Sequence, residues 1–157
     1  MKNKKIQGSL LRMRATEIEE LNVIGACIQG AMSCYGEMEF DSKEYRFAAI
    51  LVRYTWEDAA SHQATHEYVQ LKQIRTALRV ESVEQVRVRG IDLKNENKLL
   101  ELVTVKARKD IGKIKVHLIF SSGGEIYLDV DKLDVRMEDL ESPIDSQVKV
   151  SFADDKK

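Results

Sequence analysis

The chain has 157 residues, which suits a single domain that can bury a core without a disulfide or a metal. Its 25 Lys and Arg residues nearly balance 26 Asp and Glu residues, for a formal charge of −1. This balance excludes a protein whose whole surface is adapted to nucleic acid, although a local basic face remains compatible with it. The two cysteines, Cys27 and Cys34, form no C-x-x-C pair, and no apolar run has the length of a secretory signal or a membrane span. We therefore expect a cytoplasmic protein that makes no contact with a membrane.

The two ends of the chain differ in composition from the middle. Residues 1–9 are basic and are predicted to be a flexible tail, and residues 141–157, which hold the only proline and end in DDKK, are predicted to be a second one. Residues 10–140 carry the apolar periodicity and are predicted to form a single α+β domain.

One helix is predicted, in the stretch TEIEELNVIGACIQGAM that begins at Thr16. Thr16 and Glu19 have the spacing of a capping box, in which a hydroxyl and a carboxylate satisfy N–H groups of the first turn. Residues that recur every three or four positions then share one face, which must rest on another element: Ile18, Leu21, Gly25, Ile28 and Met32.

The rest of the domain is predicted as strands joined by short turns. Hairpins are expected at residues 41–43, between GEMEF and EYRFAAILVRYTW, and at residues 81–82, between LKQIRTALRV and VEQVRVRG. A third turn, at residues 110–112, joins LLELVTVKA to KIKVHLIF, and the glycine pair at residues 123–124 supplies the positive φ of a fourth. Residues 58–70 are polar and poor in β-branched side chains, so we expect a loop with one helical turn at most.

Short connections imply antiparallel pairing, and a long antiparallel sheet must curl or close to protect its edges. The predicted fold is therefore one N-terminal helix packed on a strongly bent antiparallel sheet or half-open barrel of about seven or eight strands. Pleckstrin-homology-like domains have such an architecture. The alternative is a two-sheet β-sandwich with a helix.

The hairpin at residues 81–82 carries the feature that most suggests binding. In the pairing that the alternation favours, Arg75 lies opposite Arg89, and Arg79 and Arg87 lie on the same outer face. Like charges that face each other across two strands cost energy unless an anion neutralises them. We therefore expect these four arginines to bind an anion or an acidic partner. Neighbouring carboxylates are the alternative source of neutralising charge, and the hypothesis fails if Arg75 and Arg89 are ion-paired within the chain.

No catalytic residue, metal site or cofactor is predicted. Asp129, Asp131 and Asp134 follow the glycine pair instead of enclosing a glycine, so their spacing does not match an EF-hand and indicates an acidic solvent face. His62 and His66 have a spacing that zinc can use in a helix, but no further ligands lie nearby. No nucleophile elbow and no phosphate-binding glycine loop occurs, and whether the chain is an enzyme stays open.

Four stretches occur in an order and spacing that resemble an uncharacterised alphaproteobacterial family, domain of unknown function 2948: TEIEELNVIGACIQGAM, YRFAAILVRYTWED, ALRVESVEQVRVRGID and GGEIYLDVDKLDVRMEDL. The resemblance covers about residues 10–140 and implies a single-domain cytoplasmic protein without an assigned activity. Among the positions that fit the family pattern, Arg53, Trp56 and Asp92 are candidates for function. Two of them also have a structural interpretation: Trp56 suits the edge of a core, and Asp92 suits either a pair with Arg89 or a cap on the polar segment that follows it.

The sequence is compatible with three functions. The first is a binding or adaptor module that uses its sheet surface on an unknown protein or anionic partner. The second is an enzyme or small-ligand carrier with its site in the mouth of the bent sheet, around Arg53, Trp56 and Arg89, and a deep apolar pocket would favour it. The third is a weak nucleic-acid binder, which the net charge makes less favoured. A homodimer is compatible with exposed edge strands.

Overall fold

The structure, a computed structural model, describes residues 10–61 and 68–151. Two α-helices occur in this part of the chain, α1 (Ile18–Cys27) and α2 (Trp56–Ser61), with a short 3-10 helix at Tyr35–Glu37. The strands are, in chain order, β1 (Arg12–Ala15), β2 (Met32–Ser33), β3 (Met38–Asp41), β4 (Arg46–Tyr54), β5 (Tyr68–Val80), β6 (Val83–Arg89), β7 (Leu100–Asp110), β8 (Lys113–Phe120), β9 (Glu125–Val130), β10 (Val135–Asp139) and β11 (Ile144–Ser151).

The eleven strands form one antiparallel sheet that does not close. The strand order is β1–β10–β5–β4–β2–β7–β8–β9–β6, with β11 also paired to β5 and β3 to β4. The prediction of an antiparallel sheet with few helices is confirmed. The predicted counts were wrong, because the described residues hold eleven strands instead of seven or eight, and two α-helices instead of one. The likeness to pleckstrin-homology-like domains stays a prediction.

The short strand β2 connects two parts of this sheet. Met32 pairs with Val52 of β4 on one side and with Glu101 of β7 on the other. We call β1, β10, β5 and β4 the first half-sheet and β7, β8, β9 and β6 the second half-sheet. Apart from β3 and β11, the strands can be followed along one hydrogen-bonded path, in which the two-residue strand β2 links the two halves.

The predicted hairpin between β5 and β6 was wrong. Both sides of β5 are already occupied at its end, since Val80 lies between Phe47 of β4 and Val135 of β10. The chain therefore turns a corner at Ser82, which has a φ of 59°, and β6 pairs with β9 in the second half-sheet. The arginines of β5 and β6 consequently belong to different halves of the sheet.

The capping box of α1 lies one residue later than predicted. The N-cap is Glu17, so the carboxylate three residues later belongs to Glu20 and not to Glu19. Glu20 Oε1 accepts the backbone N–H of Thr16 at 2.8 Å and that of Glu17 at 3.2 Å. The hydrogen bond from Thr16 is the main reason that the pKa of Glu20 lies below its ordinary value.

The core lies between α1 and the inner face of the sheet. Leu21, Ile24 and Ile28 of the helix segment are fully buried, and a Cβ on Gly25 would lie 3.4 Å from Val105 of β7. The alternation predicted for β8 and β9 is confirmed, because every second side chain points into this core: Val116, Leu118, Phe120, Ile126, Leu128 and Val130.

Part of the predicted C-terminal tail is a strand. Within the expected tail at 141–157, residues Ile144–Ser151 form β11, in which Ile144 pairs with Gln73 of β5. The expected tail at 1–9 lies outside the described residues, as do residues 152–157. Among the helices that the structure describes, none is long and apolar enough to cross a membrane.

Candidate functional site

Arg53 in β4 is fully buried although it carries a charge. Its Nε donates to Asp139 Oδ1 at 2.9 Å, and its Nη2 donates to Asp139 Oδ2 at 2.8 Å and to Glu57 Oε2 at 2.9 Å. Its Nη1 donates to Glu57 Oε1 at 2.9 Å and to the Tyr54 carbonyl at 3.0 Å. These bonds use every N–H donor of the guanidinium, so Arg53 has none left for a ligand.

Asp139 in β10 is the anion at the centre of this group. It is 3% exposed and accepts, in addition to Arg53, the Thr76 hydroxyl and the backbone N–H of Leu11, each at 2.8 Å. We call Arg53, Glu57, Thr76 and Asp139 the Arg53 cluster. It ties β4, β5, β10, α2 and the start of β1 together, which is a structural role.

The two charges at the centre of the Arg53 cluster stabilise each other. Burial alone would raise the pKa of Asp139, but the hydrogen bonds from Arg53, the Leu11 amide and Thr76 outweigh it and leave the pKa below its ordinary value. Burial alone would lower the pKa of Arg53, but the hydrogen bonds to Asp139 and Glu57 raise it above its ordinary value. Both groups are therefore charged across the physiological range.

The lowered pKa of Asp139 predicts a loss of stability in acid. The unfolded chain binds a proton at this carboxyl before the folded chain does, so the stabilisation is complete at neutral pH and decreases below about pH 4. Urea unfolding at pH 6 and pH 3 measures the decrease. In an Asp139→Asn variant, which is less stable at both values, the difference between the two pH values is expected to be smaller. An unchanged difference would show that other carboxyl groups carry the acid sensitivity.

Trp56 has the structural role that the sequence suggested for it. Its ring lies edge-on to Tyr54 with a centroid distance of 6.0 Å, and its Nε1 donates to the Gln29 carbonyl at 2.8 Å. The indole is thus held at the edge of the core with its N–H satisfied.

Asp92 also has a local structural role. Its Oδ1 accepts the backbone N–H of Lys94 at 3.0 Å, which caps the polar turn that follows. Arg89 is ion-paired with Glu125 at 3.9 Å, and Arg53 is saturated by its own cluster. The described contacts therefore do not bring Arg53, Trp56 and Arg89 together around a shared ligand position.

The four arginines of the predicted hairpin do not face one another. Arg75 and Arg89, on which the hypothesis depended, both have carboxylate partners within the chain. The anion site between them therefore loses its basis. The ion pairs are Arg75–Glu141 at 3.2 Å, Arg79–Glu81 at 2.7 Å, Arg87–Asp129 at 3.1 Å and Arg89–Glu125 at 3.9 Å.

A row of opposed arginines does occur, in a different place. Arg14 of β1 pairs in register with Arg136 of β10, and Arg136 pairs in turn with Arg79 of β5. We call these three residues the arginine row. Arg14 and Arg136 were not among the predicted binding residues. Their alternation in LLRMRA and VRMED indicates outward side chains, but the pairing of the two strands joins residues more than a hundred positions apart.

Two carboxylates below the arginine row hold it in place. Asp134 accepts from Nε of Arg14 at 3.0 Å and from Nε of Arg136 at 3.2 Å, and Glu81 accepts from Nε of Arg79 at 2.7 Å. The carboxylate side chains are 11% and 16% exposed, whereas those of the arginines are 40–57% exposed. The positive groups therefore form the outer layer of this surface.

A groove runs beside the arginine row on the outer face of the first half-sheet. It has a volume of about 560 Å³, and a second depression continues it across β5 towards β3. Ala77 and Arg79 line both depressions, and Ala48 and Ile50 extend the apolar floor. Small side chains in the middle of an outer sheet face leave space that larger ones would fill.

The described part of the chain brings no three His, Cys, Asp or Glu side chains together in a way that could hold a metal ion. Asp129 and Asp134 accept from arginines instead, and Asp134 is only 8% exposed, so the expected acidic solvent face was wrong for this residue. His62 and His66 lie outside the described residues.

Comparison with known proteins gives a family for the chain. Residues 11–151 match the family model described as a protein of unknown function, DUF2948. No curated protein and no solved structure matches the chain.

Proposed function

Because this chain belongs to DUF2948, a family whose description names no activity, we propose its function from geometry: it is a binding module whose arginine row takes an acidic segment of a partner protein. The observation that carries this proposal is the row of three opposed arginines that lines a groove with a partly apolar floor. Opposed cations of this kind are stabilised when an anion approaches them.

The charge around the row is not balanced. Arg46 also donates to Glu81, at 3.1 Å, so four guanidinium groups share the two carboxylates Asp134 and Glu81. Arg79 makes its hydrogen bond through Nε, and its two terminal nitrogens have no hydrogen-bond partner among the residues that the structure describes. These nitrogens offer the paired donors that a carboxylate binds side by side.

The floor and rim of the groove favour a protein over a nucleic acid. Ala77, Ala48 and Ile50 offer apolar contact to a side chain, which a phosphate backbone does not use. Glu138 lines the groove and Glu39 lines the second depression, and both would repel a continuous line of phosphates. A segment that alternates acidic and apolar side chains meets both the arginines and the floor.

A titration with a synthetic peptide tests the proposal. A fluorescently labelled peptide of alternating Glu and Leu is expected to bind to the wild type. An Arg79→Gln/Arg136→Gln variant is expected to bind this peptide at least about tenfold more weakly, because two charge-assisted contacts are lost. Fluorescence polarisation at two salt concentrations measures both the affinity and its screening.

Arg75→Gln is the matched control for this titration. Arg75 lies on the same strand and the same face as Arg79, but it does not line the groove. Its loss is expected to leave the affinity unchanged, and a peptide of alternating Lys and Leu is expected not to bind. Equal affinities for the wild type and the double variant would contradict the proposal.

A further inference from the structure

A different charged surface lies on the outer face of the second half-sheet. Four side chains form a row across its strands in register, from Lys106 of β7 through His117 of β8 and Tyr127 of β9 to Arg87 of β6. The His117 and Tyr127 rings are stacked, with centroids 4.1 Å apart and an angle of 16° between the planes. The guanidinium of Arg87 covers the Tyr127 ring at 5.6 Å from its centroid. The row is therefore a ring stack with a cation at each end.

The next row along the same face adds opposed cations. Arg108 of β7 pairs in register with Lys115 of β8, so two like charges face each other across the strands. The nearest carboxylates to Lys115 are Asp110 at 3.8 Å and Asp129 at 3.9 Å, and Asp129 already accepts from Arg87. This neutralisation is weak because both distances are at the limit of an ion pair.

Two cations at this surface have no carboxylate partner among residues 10–61 and 68–151: Lys106 and Arg108, both of them exposed. Together with Lys115, His117 and Tyr127 they line a depression of about 240 Å³. Lysine and arginine donors that surround such a depression are the usual partners of phosphate oxygens.

We propose that this depression binds a nucleotide, with its phosphate held by Lys106, Arg108 and Lys115 and its base placed against the His117 end of the ring stack, because His117 and Arg87 already cover the two faces of Tyr127. The ligand class combines the two features of the site, since a phosphate needs the cations and a flat base needs a ring surface. The proposal is independent of the acidic-peptide groove, which lies on the other half of the sheet.

The rings are held ready for such contact. Glu125 Oε1 binds His117 Nε2 at 2.8 Å and accepts the Tyr127 hydroxyl at 2.7 Å, so one carboxylate fixes both rings. Hydrogen bonds from Tyr127 and then from His117 hold the pKa of Glu125 below its ordinary value, and the carboxylate therefore stays charged while it orients them. Preorganised rings lose little conformational entropy when a base stacks on them.

The surroundings separate this surface from the arginine row. The carboxylates near the depression are Asp110, Asp129 and Glu125, and each already has a cation or a hydrogen-bond donor of its own. The two cations without a carboxylate partner, Lys106 and Arg108, both lie on the β7 side of the ring stack. A phosphate on the β7 side of the ring stack therefore contacts these two positive side chains.

Titration of the full chain with three probes tests this inference: inorganic phosphate, AMP and a ten-residue uridine oligonucleotide. AMP is expected to bind more tightly than phosphate, because the base adds stacking to the charge contacts. AMP is also expected to shift a ring proton of His117 in the proton NMR spectrum, where the chain has only 3 histidines to assign. If the oligonucleotide binds more tightly than AMP, the ligand of this site is a nucleotide within a single-stranded nucleic acid. If AMP binds as tightly or more tightly, the ligand is a free nucleotide.

A Lys106→Gln/Arg108→Gln variant is expected to bind AMP at least about tenfold more weakly, because it loses both cations that have no carboxylate partner. Both side chains are exposed, so the variant is expected to keep the wild-type circular dichroism spectrum and melting temperature.

The Arg79→Gln/Arg136→Gln variant is the matched control and is expected to bind AMP normally, which separates this site from the proposed peptide groove. Absence of AMP and oligonucleotide binding, or equal AMP affinity in the Lys106→Gln/Arg108→Gln variant, would overturn the inference. Equal affinities for phosphate and AMP would overturn the role of the rings.

Discussion

Replacing Arg53 with alanine is expected to lower the free energy of unfolding by about 3–5 kcal/mol, because it leaves a buried carboxylate without its cation. Asp139 would keep the Thr76 hydroxyl and the Leu11 amide, two neutral donors that do not replace a guanidinium. The variant also loses the packing of the arginine stem in β4. Urea unfolding followed by circular dichroism measures the change.

Two further variants show whether the buried pair carries this effect. The Glu57 side chain is 36% exposed, so water weakens its ion pair with Arg53. Glu57→Gln is therefore expected to lower the free energy of unfolding by about 1 kcal/mol. Arg53→Met combined with Asp139→Leu removes both charges and is expected to be less destabilising than the sum of the single changes. Equal losses for Arg53→Ala and Glu57→Gln would show that the buried contact to Asp139 contributes little.

Replacing Gly90 with alanine is expected to cost roughly 2–4 kcal/mol. Gly90 follows β6 with a φ of 74°, and a Cβ at this position would lie 2.5 Å from the carbonyl oxygen of Gly123. The substitution therefore adds a clash with backbone atoms to the strain of a positive φ. The backbone around the turn between β8 and β9 would have to move to relieve it. Thermal and urea unfolding measure the loss.

Gly112 provides the matched control for Gly90. It has a φ of 75°, but a Cβ there would have nothing within 4 Å. Gly112→Ala is expected to cost about 1 kcal/mol, from the backbone conformation alone. The difference between the two variants isolates the clash. If both cost the same, the close approach to Gly123 is absorbed without strain.

The strand content was predictable from local patterns because each pattern is complete within a few residues. The alternation in β8 and β9 identified their inner faces, and the glycine pair at residues 123–124 located the turn between them. The β5–β6 connection was not predictable in this way. A turn at Ser82 reverses or bends the chain, but only the distant neighbours of Val80 decide which of the two occurs.

The site was less predictable than the fold for the same reason. Glu57 lies four positions after Arg53, a spacing that local sequence patterns can detect. Asp139 lies 86 positions from Arg53, and no local pattern joins the two. The arginine row likewise depends on the pairing of β1 with β10. Residue type and alternation indicate which arginines point outward, and only the register shows which of them stand side by side.

The pairing of β1 with β10 has a consequence for the order in which the chain folds. Arg12 and Glu138 are 126 positions apart, so the loop that this pairing closes contains most of the domain. The neighbouring strands β7, β8 and β9 need only short turns and can pair much earlier. We therefore expect the Arg53 cluster, which takes its Leu11 contact from the residue before β1, to be completed late in folding. Contacts absent from the folding transition state act mainly on the unfolding rate, so we expect this cluster to affect how long the native protein lasts more than how fast it forms.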